Sequence, residues 1–173
     1  QIEKGIAALE AVEGRMTAVD EGQDFSVVVD YAHTPDSFEK LFKDLKAVRR
    51  SGKLIVMFGS AGGQRDKLKR PVQGELAGKY ANEVILTEED DRDTPGTEIL
   101  EQIAVGAKKA GKVLDKDLFL VHNRTEAIKF TLGRAKAGDT VLLLGKGHEK
   151  TIERDDREDP WDEIATAKAV LKN

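Results

Sequence analysis

The sequence contains no cysteine, which excludes a disulfide scaffold and any thiolate metal site. No apolar run approaches the roughly 18 residues that a membrane-spanning helix needs. The start has no secretory pattern of a charged stretch followed by an apolar one. Positive charge does not dominate. The 28 Lys and Arg face 32 Asp and Glu, a net charge of −4, so neither a nucleic-acid nor a membrane partner is expected. The Gly-x4-Gly-Lys-Ser/Thr pattern of a phosphate-binding loop occurs nowhere. Aromatic residues make up 5%, and Trp161, the only tryptophan, is expected in the core and not as a substrate platform. The absence of cysteine is compatible with the cytoplasm. The chain begins at Gln1 and not at Met, so it reads as a fragment of a longer protein.

What is present suits one domain with a short appendage. Of 173 residues, 39% are hydrophobic and 35% charged, enough for an ordinary core under a solvated surface. The runs Phe25–Val29, Leu54–Phe58, Val84–Leu86, Leu118–Val121 and Val141–Leu144 are short and nearly uninterrupted, the mark of strands buried on both faces. Helical spacing lies between them: Phe38, Leu41, Phe42, Leu45 and Val48; then Ile99, Leu100, Ile103 and Ala107; then Ala127, Ile128 and Leu132. Thr34-Pro35 and Asn123 supply start signals, and Gly52, Gly111 and Gly138 supply stops. This alternation predicts an α/β, Rossmann-like three-layer sandwich with a mostly parallel, mixed sheet of about six strands. Residues 1–13 read as a separate amphipathic helix. Residues 153–160 read as a charged loop before a last helix.

In parallel sheets ligands bind beyond the carboxyl ends of the strands. Four segments lie there. Asp30-Tyr31-Ala32-His33-Thr34-Pro35 packs a carboxylate, a phenol, an imidazole and a hydroxyl into one strand-to-helix turn. Its alternatives are a phosphate or ribose site and a capped turn with polar decoration. Gly59 to Pro71 couples glycines to Arg65, Lys67, Lys69 and Arg70, either an anion field or a solvated basic helix start. Thr87 to Pro95 sets Glu88, Glu89, Asp90, Asp91 and Asp93 around Arg92. A solvated acidic loop, a rigidly held arginine and a Mg²⁺ site are all compatible with that composition. In Gly145-Lys146-Gly147-His148-Glu149 two glycines end a buried strand, which implies close backbone approach. There Glu149 suits an ammonium group, and His148 suits positioning it or a phosphate. No metal ligand set and no catalytic residue is assigned. His122 reads as a structural residue at a strand end.

These segments, with Gly14-Arg15-Met16, resemble the C-terminal domain of the Mur ligases, ATP-dependent amino-acid ligases of peptidoglycan synthesis. Val29 to Ser37 matches a motif shared across that superfamily. Gly59–Gly63 with Arg65-Asp66 and Lys69-Arg70-Pro71, and Gly145 to Glu149, match the UDP-N-acetylmuramoyl-tripeptide synthetases. The resemblance covers roughly residues 12–172. It implies that residues 1–13 are the tail of a preceding central ATPase domain and linker, and that 14–173 form the amino-acid-binding domain. It implies a cytoplasmic ligase in which ATP and Mg²⁺ are held mainly by the central domain. The partners would be UDP-MurNAc-dipeptide, a diamino acid and the chain's own N-terminal and central domains. Arg15, Asp30, Tyr31 and His33 fall at the ATP side. Arg65, Glu89, Asp90, Asp91, Arg92, Gly145, His148 and Glu149 fall at the incoming amino acid. One departure stands out. Enzymes adding meso-diaminopimelate typically carry Asp-Asn-Pro-Arg where this chain has Glu89-Asp90-Asp91-Arg92, which leaves diaminopimelate, lysine, ornithine and a less usual amino acid open. The alternatives are a cyanophycin or folylpolyglutamate synthetase type of ligase, or a non-catalytic nucleotide- or amino-acid-binding module.

Overall fold

The computed structural model describes residues 13–48, 52–63, 66–155 and 157–172. The expected leading helix falls almost wholly, and Arg65 wholly, outside them. The buried runs form a six-stranded sheet in the order β1-β2-β6-β3-β4-β5. The strands are β1 (Thr17–Val19), β2 (Ser26–Asp30), β3 (Leu54–Phe58), β4 (Glu83–Leu86), β5 (Leu118–Leu120) and β6 (Thr140–Leu144). All neighbours run parallel except β1, which turns back along β2 with Thr17 opposite Val29. The helices are α1 (Pro35–Val48), α2 (Lys69–Tyr80), α3 (Gly96–Lys109), α4 (Arg124–Arg134) and α5 (Glu163–Leu171).

Strand alternation sorts the core into two layers. In β3, Leu54, Val56 and Phe58 face α1, α2 and α3, where Phe38, Phe42, Ile99 and Ile103 cover them. Ile55 and Met57 face α4 and α5, with Ile128, Leu132 and Ala167. Because both faces are covered, every residue of β3 and β4 is buried. The caps fall where expected. The Ser37 N–H donates to Thr34 Oγ1 at 3.2 Å, and the Glu126 N–H to Asn123 Oδ1 at 3.1 Å.

Two features depart from the sequence reading. β1 was not anticipated, since three residues are too few to show a period. Residues 153–160 are not a loop. They complete a hairpin of β7 (Thr151–Arg154) and β8 (Arg157–Pro160). Its composition is charged, and among its described residues Ile152 is the one fully buried apolar side chain. Ion pairs and backbone hydrogen bonds, described below, tie it to the segment after β4.

The chain leaves β2, passes through α1 and lands on β3, two positions away. β6 later fills the gap between them. The carboxyl ends of β2, β6, β3 and β4 thus lie side by side at one end of the sheet, where ligands bind in parallel α/β folds.

Candidate functional site

Asp30 closes β2 and is nearly buried. Its Oδ1 accepts the Ala32 N–H and its Oδ2 the Met16 N–H, each at 2.8 Å. The carboxylate therefore pins the turn at residues 14–16 against the start of the next loop. As a result the Arg15 guanidinium lies 4.7 Å from the centre of the Tyr31 ring. His33 and His148 flank the same ring at 4.6 and 4.9 Å, and His33 Nδ1 sits 2.8 Å from the Tyr31 carbonyl oxygen.

Beyond β6, Gly145 has a φ of +104°, and a Cβ there would stand 2.6 Å from Glu89 Oε2. The backbone is thus threaded against a carboxylate, as the glycine pattern implied. Lys146 is 1% exposed, and its Nζ lies 2.9 Å from Asp90 Oδ1 and 2.8 Å from Glu149 Oε2. A buried ammonium is tolerable only with such partners. The other Glu149 oxygen accepts the Tyr31 hydroxyl at 3.2 Å. Burial, reinforced by the Glu149 carboxylate, pushes the Tyr31 phenol above its usual pKa. Tyr31, Glu149, Lys146 and Asp90 form one continuous polar chain along the crevice wall.

The acidic segment after β4 is not a solvated loop, because Glu88, Glu89, Asp90 and Asp91 are all buried. Each carboxylate has a separate fate. Arg154 grips Glu88 bidentately at 2.7 and 2.8 Å, and the Arg124 N–H adds a third bond at 2.9 Å. Burial alone would raise the Glu88 pKa, but these donors overcome it and hold the group below its usual range. Asp91 turns away, its Oδ2 lying 2.6 Å from Nε2 of His122, which sits just past β5. Burial pushes the Asp91 pKa up, against the pull of His122. Asp90 is shared between Lys146 and the Glu153 N–H, the latter at 2.9 Å. No side-chain hydrogen bond holds Glu89: its buried Oε2, like Asp91 Oδ1, has no hydrogen-bond partner among the described residues. Burial pushes its carboxyl above the usual range, with Lys69 and Arg124 pulling the other way. A buried, unpaired carboxylate beside an opening is poised for a donor from outside.

Arg92 takes a left-handed backbone, φ +51°, and its Nε donates to Glu153. The same loop is stitched to the hairpin through its backbone, since the Arg92 N–H reaches the Glu153 carbonyl and the Asp155 N–H reaches the Arg92 carbonyl.

Glu89, Asp90, Arg92, Gly145 and Glu149 line one cleft of about 140 Å³, together with Tyr31, His33 and Lys69. The structure thus brings together most of the residues expected at the amino acid and two of those expected at ATP. His148 stands outside, exposed, against Tyr31. Sequence reasoning gave no site role to Lys146, Glu153, Arg154, Arg124 or Glu163. Lys146 lay within a motif that was noticed, and its flanking glycines were the available signal. Glu153 and Arg154 were hidden in a charged run.

Beneath the cleft, Arg124 is fully buried and bidentate to Glu163 at 2.7 and 2.9 Å. It also donates to the carbonyls of Glu88 and Leu144, joining the ends of β4 and β6. The Trp161 indole N–H donates to Glu163 at 2.8 Å. Trp161 packs on the second core layer, as expected.

Among the described residues, Glu88, Asp91 and His122 could hold a metal ion, with ligand atoms within 4.8 Å of one another. Arg154, Arg124 and His122 itself already engage the Glu88 oxygens and Asp91 Oδ2. None of the described helices is long and apolar enough to cross a membrane.

An acid-lined cleft at the carboxyl ends of the parallel strands, with an arginine on its rim, is the kind of site that suits a small charged molecule. Comparison with known proteins narrows the class. The family model for the Mur ligase, glutamate ligase domain matches residues 14–147, and the chain belongs to that family. It is 48% identical to a UDP-N-acetylmuramyl-tripeptide synthetase of Treponema denticola, over 98% of this chain and 32% of that protein. A synthetase of the same name from Roseiflexus sp. is 45% identical, over 98% of this chain and 34% of that one. The solved structure of a UDP-N-acetylmuramoyl-L-alanyl-D-glutamate–2,6-diaminopimelate ligase superposes with a TM-score of 0.78 at 35% identity. It covers 98% of this chain and 33% of its own. The chain therefore spans about a third of the length of the relatives it matches.

Proposed function

We propose that residues 14–173 are the amino-acid-binding domain of a cytoplasmic, ATP-dependent UDP-MurNAc-tripeptide synthetase, with residues 1–13 the end of a preceding ATPase domain and linker. The observation that carries this reading is the cleft itself. It offers carboxylates at Glu89 and Glu149 for an ammonium group and a guanidinium at Arg92, in a family of amino-acid ligases. The substrates are UDP-MurNAc-dipeptide, ATP and a diamino acid. The chain has no phosphate-binding loop, so ATP and Mg²⁺ are held mainly by the central domain. Bound ATP supplies the phosphoryl group that activates the dipeptide carboxylate.

The residues of this chain position the reactants. Glu89 and Glu149 accept the ligand ammonium, and Tyr31 and Lys146 keep the Glu149 carboxylate aimed at it. Arg65 is assigned to the ligand carboxylate. Arg15, free on one face and stacked on Tyr31, stands ready for ATP phosphates when the domains close. Rate enhancement on this side comes from orientation and charge placement. The isolated 173 residues should neither turn over ATP nor form a peptide bond.

The test is product formation by the full-length protein from UDP-MurNAc-dipeptide, ATP and a diamino acid, followed by phosphate release and mass spectrometry. Activity in the full-length protein but not in the isolated chain is expected. No ligation with any diamino acid refutes the reading.

A further inference from the structure

Glu153 belongs to none of the motifs that mark the site, yet its carboxylate sits on the guanidinium of Arg92. The contact is held from several sides. The Glu153 N–H is bonded to Asp90 Oδ1, its carbonyl accepts the Arg92 N–H, and the next residue but one closes on the Arg92 carbonyl. Ile152, at the preceding position, is fully buried. Arg92 therefore meets a ligand with its charge already matched. The other charges of the cleft reinforce this. Lys146 is committed to Asp90 and Glu149, which leaves Glu89 and part of Glu149 facing the opening. A ligand whose far end is an ammonium finds acid there and leaves Glu153 in place. A ligand whose far end also carries a carboxylate meets an Arg92 whose charge is already matched, with the Glu153 and Asp90 carboxylates beside it to repel the newcomer. Selectivity by such a repulsive element is a general device.

We infer that Glu153 determines which diamino acid this cleft accepts, by occupying Arg92 with an internal carboxylate and turning away ligands that carry a second, distal carboxylate. The inference rests on the proposed ligase reading and narrows its substrate to diamino acids of the lysine or ornithine kind. Glu153 is ionised at neutral pH, since the Arg92 hydrogen bond holds its pKa below the usual range.

The experiment is steady-state kinetics on the full-length protein with L-lysine, L-ornithine and meso-diaminopimelate. Wild type should prefer lysine or ornithine. Glu153→Gln should raise the kcat/KM ratio of diaminopimelate to lysine about tenfold, the scale of one charge-assisted hydrogen bond, chiefly through a lower KM for diaminopimelate. Adding Arg92→Ala should erase that gain, and Glu153→Asp should restore much of the discrimination. A wild-type preference for diaminopimelate, or an unchanged ratio in Glu153→Gln, overturns the inference alone. Absence of turnover with every diamino acid overturns the ligase reading and this inference with it. If Glu153→Gln does not fold, the Arg92 Nε–H resonance of the wild type decides. It should hold its position when lysine binds, and loss of that hydrogen bond on lysine binding would refute the inference.

Discussion

Arg124 and Arg92 both serve the acidic segment after β4, one from beneath and one from its rim, and their surroundings could hardly differ more. Arg124 has no exposed side-chain surface, and its guanidinium is distributed over Glu163 and two carbonyls. The side chain of Arg92 is 25% exposed, and its partner Glu153 is 42% exposed. The first arrangement is closed: every bond is internal, and its product is a fixed relation between the ends of β4 and β6. The second is open: one internal partner holds a charge that a ligand can contest. The same contrast separates Glu88, fully engaged, from Glu89, its neighbour in sequence, with an oxygen left unpaired. The closed cluster builds the edge and the open one uses it. Four adjacent acids can serve opposite ends because neighbouring residues on an irregular segment face different ways.

The largest effect should come from breaking the closed cluster. Glu163→Ala leaves the buried Arg124 guanidinium without its bidentate carboxylate, with only its two carbonyl bonds left, and should destabilise the domain by about 3–5 kcal/mol, read from urea unfolding midpoints. A loss below ~1 kcal/mol would show that Arg124 finds other partners.

Next comes the open side. Glu89→Gln should weaken diamino-acid binding by about 1–3 kcal/mol, measured by calorimetry on the full-length protein, while stability holds or rises. Unchanged affinity would remove Glu89 from the ligand's reach. Trp161→Phe deletes one bond to Glu163 and should cost about 1 kcal/mol of stability with no change in affinity; a drop in affinity would show that the two clusters are coupled.

The smallest effect should lie in pH dependence. Burial raises the Glu89 pKa in the folded chain above its ordinary value of 4.5, so above that value the unfolded state releases its proton first. Its contribution to stability is therefore full at low pH and declines as pH rises from about 4.5 towards the folded pKa. Glu89→Gln should flatten that decline, measured as unfolding midpoints from pH 4.5 to 8. Parallel profiles for variant and wild type would place the Glu89 carboxyl in contact with solvent.

Much of the scaffold was legible because it depends on local signals. The five expected strands appear within a residue or so of their apolar runs, and Thr34 and Asn123 cap helices where their side chains suggested. β1 and the β7–β8 hairpin were not legible. The first is three residues long, and the second has only Ile152 as a buried apolar residue, so no period of two could stand out. Within the site, Gly145 was legible as a point of close approach, whereas the partner it approaches, Glu89, was not identifiable from the glycine alone.

From the sequence alone came the alternating sheet, its two-sided burial, and the four segments gathered at one edge, because periodicity and turn chemistry act between residues a few positions apart. Which of the carboxylates of Glu88, Glu89, Asp90 and Asp91 are paired internally, and which line the cleft, was decided only by the tertiary structure. Their partners Arg124, Lys146 and Arg154 lie roughly 30 to 70 positions away in sequence, and electrostatic pairing follows distance in space and loss of water, neither of which a linear spacing records.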